Sequence, residues 1–100
     1  MQNLKYVGKN LFIEKLSIKN ILKRNKTPFY IYSENQIAFN FYRFANTFKK
    51  TKPLICFSVK SNNNLNILRT LSRLGSGADV VSGGELLKVL KAGIKPNKIV

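Results

Sequence analysis

Apolar residues recur along the chain with two different periods, and stretches of the two kinds alternate. Short apolar or aromatic runs that are rich in β-branched residues predict strands. These runs are NLFIEKL (10–16), TPFYIYS (27–33), LICFSVK (54–60), ADVVS (78–82) and KIV (98–100). LICFSVK is almost continuously apolar, which is typical of a parallel strand covered on both faces.

The segments between these runs carry apolar residues at spacings of three and four, which predicts helices with one apolar face. The predicted helices cover residues 17–25, 34–50, 65–74 and 83–93. The candidate N-caps are Ser17, Ser33 and Asn63 or Asn64. Such side chains accept hydrogen bonds from the free N–H groups of the first helical turn, so these residues mark helix starts.

The order of the elements predicts the fold class. From TPFYIYS onward it is β-α-β-α-β-α-β with short links, which favours parallel strands joined by right-handed crossovers. This order is typical of a (β/α)8 barrel or of a doubly wound sheet. A complete barrel needs about 250 residues, and the chain has 100. We therefore expect an α/β fold, a partial (β/α)8 TIM-type barrel with about three βα units. Residues 1–26 would form a strand and helix lead-in, and residues 27–100 the N-terminal part of the barrel domain.

The composition excludes several kinds of site. The chain has no histidine and one cysteine, Cys56, which excludes zinc sites of the Cys/His kind and a disulfide framework within the chain. The first sixteen residues contain no apolar stretch long enough for a signal peptide or a membrane span. We expect a soluble protein of the reducing cytoplasm, with no membrane partner and no metal.

The charge balance raises a competing function. Eighteen Lys and Arg residues face four acids, giving a net charge of +14, and such a balance can indicate a surface for nucleic acid. The cations are spread along the chain, however, and fourteen of the eighteen are lysine. Lysine, asparagine, isoleucine and phenylalanine share A/T-rich codons, so drift in base composition explains the charge better. Nucleic acid is not the expected partner, although a small basic binding module stays an alternative.

Three motifs carry a family resemblance. They are CFSVKSN (56–62), GSGADVVSGGEL (75–86) and LKAGIKPNKIV (90–100). Together they resemble the N-terminal part of the diaminopimelate decarboxylases, which belong to the alanine-racemase-like barrel class of pyridoxal-phosphate enzymes. The usual forms there are close to Y-A-V-K-A-N, G-x-G-x-D-V-V-S-G-G-E-L and K-A-G-x-x-P-x-K-I-V. Ser58 and Ser61 stand where alanine is usual, and both are small enough for a close-packed cofactor site.

The resemblance assigns roles to three residues. It implies that Lys60 is the catalytic lysine, which holds pyridoxal 5'-phosphate as a Schiff base, and that Asp79 and Glu85 help to bind the cofactor. Taken alone, Lys60 is better explained as a strand-end lysine that reaches solvent, since the chain has fourteen lysines. Glu85 is favourable near the start of any helix. Asp79 falls early in the predicted strand 78–82, where an unpaired acid is costly.

The implied reaction is the decarboxylation of meso-diaminopimelate to lysine by a homodimer. Alternatives are a related barrel decarboxylase of ornithine, arginine or polyamine precursors, and an inactive relic. The family's phosphate-binding glycine loop, its stacking histidine and its substrate residues have no counterpart in the three motifs. We therefore expect the 100-residue chain alone to be inactive.

Overall fold

The structure, a computed structural model, describes residues 3–100 and falls into two compact units. The first unit ends at Phe39, and the second runs from Asn40 to Val100. None of the helices formed by residues 3–100 is long and apolar enough to cross a membrane.

The first unit begins with a three-stranded antiparallel sheet of order β1-β2-β3. Its elements are β1 (Leu4–Val7), β2 (Asn10–Ile13), β3 (Leu16–Ser17) and helix α1 (Ile18–Leu22). The single strand predicted over 10–16 is therefore two strands. They are separated by a turn in which Glu14 has a left-handed φ of 53°. The run folds back on itself because its second part, β3, pairs with its first part, β2. On its other side, β2 pairs with β1.

Two predicted N-caps are confirmed in this unit. The Ser17 hydroxyl accepts the N–H of Asn20 at 3.2 Å at the start of α1. The Ser33 hydroxyl accepts the N–H of Gln36 at 3.0 Å, and helix α2 (Glu34–Thr47) follows. Helix α2 ends three residues before the predicted end at residue 50, and a 3-10 turn covers Lys49–Thr51.

The predicted strand 27–33 is wrong. The structure has no strand between α1 and α2, and Tyr30 is 90% and Tyr32 56% exposed. A strand exists only where a neighbour completes its hydrogen bonds, and among residues 3–100 none pairs with this segment. The aromatic and β-branched composition of the segment is therefore not sufficient to make it a strand here.

The second unit contains two βα repeats. They are built from β4 (Cys56–Ser58), α3 (Leu65–Arg73), β5 (Gly77–Asp79) and α4 (Gly83–Lys91). Strands β4 and β5 are parallel, as predicted. Ile99 forms a parallel bridge with Ala78 on the other edge of β5, so the apolar end of the chain also joins the sheet. Residues 3–100 do not form the expected third βα unit, because its strand, 27–33, is not formed.

The core of the second unit lies between this sheet and the two helices that follow its strands. Its buried members are Val59, Leu68, Ala78, Val89, Ala92 and Ile94. Phe57, Leu65, Val80 and Ile99 pack against them. Because the strands and both helices contribute, burial of this cluster fixes the ends of β4 and β5 relative to each other.

Strand β5 is shorter than predicted and lies earlier in the sequence. It covers Gly77–Asp79 rather than 78–82, so Asp79 is its last residue and not an early one. Gly75 has a φ of 91° and makes the turn that follows α3. Gly77, by contrast, is a buried residue of the strand.

Candidate functional site

The carboxyl ends of two parallel strands come together in the second unit. Ser58 ends β4, Asp79 ends β5, and these two residues are direct neighbours in the register of the pair. Lys60 follows Ser58 by two residues. The structure thus brings Lys60 and Asp79 to the same end of the sheet, the carboxyl ends of its parallel strands. This is the end at which α/β proteins build their sites.

Alternation along the strands determines which face Asp79 occupies. Phe57 and Ala78, the middle residues of β4 and β5, pack in the core with α3 and α4. Successive strand side chains point to opposite faces. Ser58 and Asp79 therefore lie on the face of the sheet that is turned away from these helices. That face carries small or polar side chains at the strand ends.

Lys60 lies in a 3-10 turn that directly follows β4 and covers Val59–Ser61, here called the Lys60 turn. Val59 is completely buried, whereas Lys60 is exposed. The amine of Lys60 forms no hydrogen bond or ion pair with any of residues 3–100. Burial of its neighbour anchors the turn, while the amine stays available to a ligand.

The carboxylate of Asp79, like the amine of Lys60, has no partner among residues 3–100, whereas the other three acids have partners. The carboxylates of Glu14 and Glu85 accept hydrogen bonds at helix starts, and Glu34 also has a partner. Asp79 is half-buried, and its carboxylate has no hydrogen-bond or ion-pair partner among residues 3–100. The carboxylate oxygens of Asp79 are not among the buried side-chain atoms without a partner in residues 3–100, so they reach solvent and are open to a ligand.

Glu85 has a structural role at the start of α4. Its carboxylate accepts from the Ser82 hydroxyl at 3.3 Å and from the N–H of Val81 at 3.4 Å. The Ser82 hydroxyl in turn accepts the N–H of Glu85 at 3.2 Å. This reciprocal arrangement resembles a capping box. It secures the turn that leads from Asp79 into α4.

The glycines of the SGGEL stretch (82–86) are not points of close backbone approach. A Cβ on Gly83 would meet nothing within 4 Å, and one on Gly84 would meet only the Ser82 hydroxyl at 4.0 Å. The close approach is at Gly77, where a Cβ would collide with the Lys98 carbonyl oxygen. It would also lie 2.8 Å from the sulfur of Cys56. Small-residue spacing in the sequence did not distinguish these positions.

Sequence reasoning also missed the hydrogen bonds that shape the Lys60 turn. The Ser61 hydroxyl donates to the Ser58 carbonyl at 2.7 Å, and the N–H of Asn62 donates to the Val59 carbonyl at 3.1 Å. Asn64 is the N-cap of α3, with its side chain accepting the N–H of Asn66 at 2.9 Å. The cap was predictable from residue type. The Ser61 bond had a signal only in the departure from alanine at that position.

Comparison with known proteins identifies the family to which this sequence is similar. Residues 34–100 match the model of the pyridoxal-dependent decarboxylase family, pyridoxal binding domain. The diaminopimelate decarboxylase of Pseudomonas fluorescens is 44% identical over 100 residues, which are 100% of this chain and 24% of that protein. The diaminopimelate decarboxylase of Helicobacter pylori strain J99 is 50% identical over 82 residues, or 82% of this chain and 20% of that protein.

Solved structures give the same relationship. Diaminopimelate decarboxylase from M. jannaschii superposes with a TM-score of 0.89 at 33% identity, over 97% of this chain and 24% of that one. The Helicobacter pylori enzyme, solved in complex with L-lysine, gives 0.77 at 47% identity over 81% of this chain and 21% of that one. The chain thus spans about a quarter of the length of these relatives. With two thirds of its residues matched by the family model, the chain belongs to the pyridoxal-dependent decarboxylases and carries part of their pyridoxal binding domain.

Proposed function

We propose that the chain is the N-terminal part of an enzyme that uses pyridoxal 5'-phosphate to decarboxylate meso-diaminopimelate to lysine. One observation carries the proposal. The amine of Lys60 and the carboxylate of Asp79 lie at the carboxyl ends of neighbouring parallel strands, and neither has a partner among residues 3–100. Relatives named diaminopimelate decarboxylase that are 44% and 50% identical support the choice of reaction.

The fold that we propose for the whole protein is a (β/α)8 barrel. Residues 27–100 would be its N-terminal part and residues 1–26 its lead-in. The parallel order of β4, β5 and the Ile99 bridge supports a barrel, because neighbours in the sheet follow each other along the chain. In such barrels the active site lies at the carboxyl ends of the strands, which is where Lys60 and Asp79 are found.

The residues present fit the cofactor. An aldehyde requires an amine to hold it, and Lys60 supplies one that is exposed and without a partner among residues 3–100. Asp79 supplies a carboxylate that can accept a hydrogen bond or pair with a positive charge. When it is bound, pyridoxal 5'-phosphate supplies an electron sink for the bonding electron pair that remains on the substrate when carbon dioxide leaves.

The chain's own residues divide the remaining work. Lys60 binds the cofactor and, once its amine is freed, can carry a proton at Nζ. Asp79 orients the bound group from the neighbouring strand end. Glu85 contributes from the start of α4, where its hydrogen bonds to Ser82 hold the segment after Asp79. No metal is part of the proposed site.

We also propose a small amino acid as substrate and a homodimer as the assembled state. The first is supported by the L-lysine bound to the solved Helicobacter pylori relative. We place the protein in the cytoplasm, where thiols stay reduced, since Cys56 is a free cysteine. Ornithine, arginine and polyamine precursors are the competing substrates, because the matched family description names no substrate.

Cofactor attachment tests the site directly. The purified chain is incubated with pyridoxal 5'-phosphate, reduced with borohydride, digested and analysed by mass spectrometry. We expect the reduced adduct chiefly on Lys60 among the fourteen lysines. Lys60→Arg should remove it, and Lys52→Arg, at another exposed lysine after a 3-10 turn, should not. Even labelling of all lysines would contradict the assignment.

A chimera tests the reaction. This chain replaces the matching quarter of the Pseudomonas fluorescens diaminopimelate decarboxylase, over which the two are 44% identical. We expect release of carbon dioxide from meso-diaminopimelate, and loss of that release with Lys60→Ala. Preferred turnover of ornithine or arginine would favour the alternative substrates. A folded chimera without turnover would argue against the proposed reaction.

A further inference from the structure

We propose that Ser61 is a positioning residue for Lys60, and that its hydroxyl fixes the turn from which the lysine projects. The inference rests on the proposed cofactor role of Lys60. It adds a residue to which neither the family match nor the motif comparison gives a role.

The hydroxyl of Ser61 links the two ends of the segment that contains Lys60. It donates to the backbone carbonyl of Ser58 at 2.7 Å, which is the usual distance for a strong O–H···O hydrogen bond. Ser58 is the last residue of β4 and the direct neighbour of Asp79. The bond therefore ties the residue after Lys60 to the strand end that is in register with the carboxylate.

The Lys60 turn is fixed by the burial of Val59 and by its hydrogen bonds. It is a single 3-10 turn of three residues, and 3-10 hydrogen bonds have poorer geometry than those of an α-helix. Lys60 and Ser61 are exposed, so neither is fixed by burial. The direction in which Lys60 leaves the backbone therefore depends on the hydrogen bonds of the turn.

The segment that follows the turn is also held by hydrogen bonds. The N–H of Asn64 donates to the side chain of Asn62 at 3.0 Å. The amine of Lys88, on α4, donates to the Asn63 carbonyl at 3.4 Å. Ser61 supplies the corresponding side-chain link to β4, so the turn is held from both the strand and the helices.

The structure contains a matched control for this bond. Thr51 is the last residue of the 3-10 turn Lys49–Thr51, as Ser61 is of the Lys60 turn. The Thr51 hydroxyl donates to the Phe48 carbonyl three residues earlier at 2.8 Å. Thr51→Ala thus removes the same kind of hydrogen bond, over the same spacing, from a turn that contains no proposed site residue.

The test compares Ser61→Ala, Ser61→Thr, Ser61→Val and Thr51→Ala. Alanine is usual at this position in the family motif that CFSVKSN resembles, so we expect Ser61→Ala to fold. Thr and Val have nearly the same shape and differ in the hydroxyl, so this pair isolates the hydrogen bond if the size of the side chain matters. Far-UV circular dichroism checks that all four variants are folded.

The first readout needs no cofactor. Amide hydrogen exchange at Asn62, whose N–H closes the Lys60 turn, should be about three- to tenfold faster in Ser61→Ala and Ser61→Val, as expected for the loss of one hydrogen bond. Ser61→Thr should retain the slow rate, and Thr51→Ala should not change it. Equal exchange in all four variants would overturn the proposal.

The second readout is the ratio of reduced pyridoxal adduct on Lys60 to that on Lys52. We expect a fall of about three- to tenfold in the two variants without a hydroxyl at position 61, with recovery in Ser61→Thr. An unchanged ratio in a protein that labels Lys60 would disprove positioning by Ser61. Failure of the wild-type chain to label Lys60 would instead disprove the proposed cofactor role, while hydrogen exchange would still report on the turn.

Discussion

The two units of the chain are stabilised in different ways. All the buried residues among positions 3–100 lie between Val59 and Ile94, in the second unit. Residues 3–39 contain half-buried and exposed side chains only. The second unit is therefore stabilised by removal of apolar surface from water, whereas the first depends to a larger extent on hydrogen bonds.

Glu14 shows how the first unit is held. Its carboxylate accepts the Ser33 hydroxyl at 2.6 Å and the N–H of Asn35 at 3.0 Å. These bonds connect the turn between β2 and β3 to the start of α2, where a negative charge is favourable. A substitution that removes apolar volume should thus affect the second unit most, and one that removes charge should affect the first.

The largest expected effect is that of Leu68→Ala in the second unit. Leu68 is completely buried, and removing a buried leucine side chain costs about 2–5 kcal/mol in unfolding free energy. Leu16→Ala is the control, since Leu16 is 59% exposed in the first unit and should change stability by less than about 0.5 kcal/mol. Urea denaturation of both variants measures the difference. Equal losses would contradict the comparison.

The next effect is that of Gly77→Ala. A methyl group there would collide with the Lys98 carbonyl and crowd the sulfur of Cys56, and overpacking of this kind costs about 1–3 kcal/mol. Gly84→Ala should be neutral or stabilising, because that site is open and alanine favours a helix. Thermal unfolding distinguishes the two variants. A stable Gly77→Ala protein would show that β5 and residue 98 are not closely packed.

The smallest effect is the acid sensitivity of the first unit. The hydrogen bond from Ser33 and, to a smaller extent, the one from Asn35 lower the pKa of Glu14 below its usual value. The stabilising contribution of Glu14 is therefore fully present above the unfolded pKa of about 4.3 and is lost as pH falls through the lower folded pKa. Glu14→Gln should remove about 0.3–1 kcal/mol at neutral pH and reduce the acid dependence.

Regional hydrogen exchange between pH 3 and 6 checks this prediction. After correction for intrinsic exchange, protection of amides at the start of α2 should fall with acid in the wild type and change less in Glu14→Gln. Amides of β5 should not share this Glu14 dependence. An identical pH response in the variant and the wild type would show that Glu14 is not the group responsible.

Local signals in the sequence predicted much of this structure. Ser17, Ser33 and Asn64 cap helices as expected, because capping depends on a side chain and the backbone within three residues of it. The parallel pairing of β4 and β5 and the placement of Ile99 also follow from the order of elements. These features depend on local chemistry or on the general handedness of crossovers.

The features that were missed depend on partners distant in sequence. Residues 27–33 have the composition of a strand, but no strand formed by residues 3–100 pairs with them. Asp79 was placed early in its strand because the apolar run continues past it, although the pairing with β4 stops there. For the site, the sequence placed Lys60 at a strand end, whereas the hydrogen bond of Ser61 needed the geometry of the turn.

The bridge between Ala78 and Ile99 gives the two proposed site residues unequal mechanical support. Strand β5 has hydrogen-bonded neighbours on both edges, β4 and the segment at Ile99. Within residues 3–100, β4 is paired along one edge only, and Lys60 lies beyond its end. Among the described residues, pairing along both edges of β5 therefore supports the strand end at which Asp79 lies, whereas the position of Lys60 depends on the short turn that follows β4.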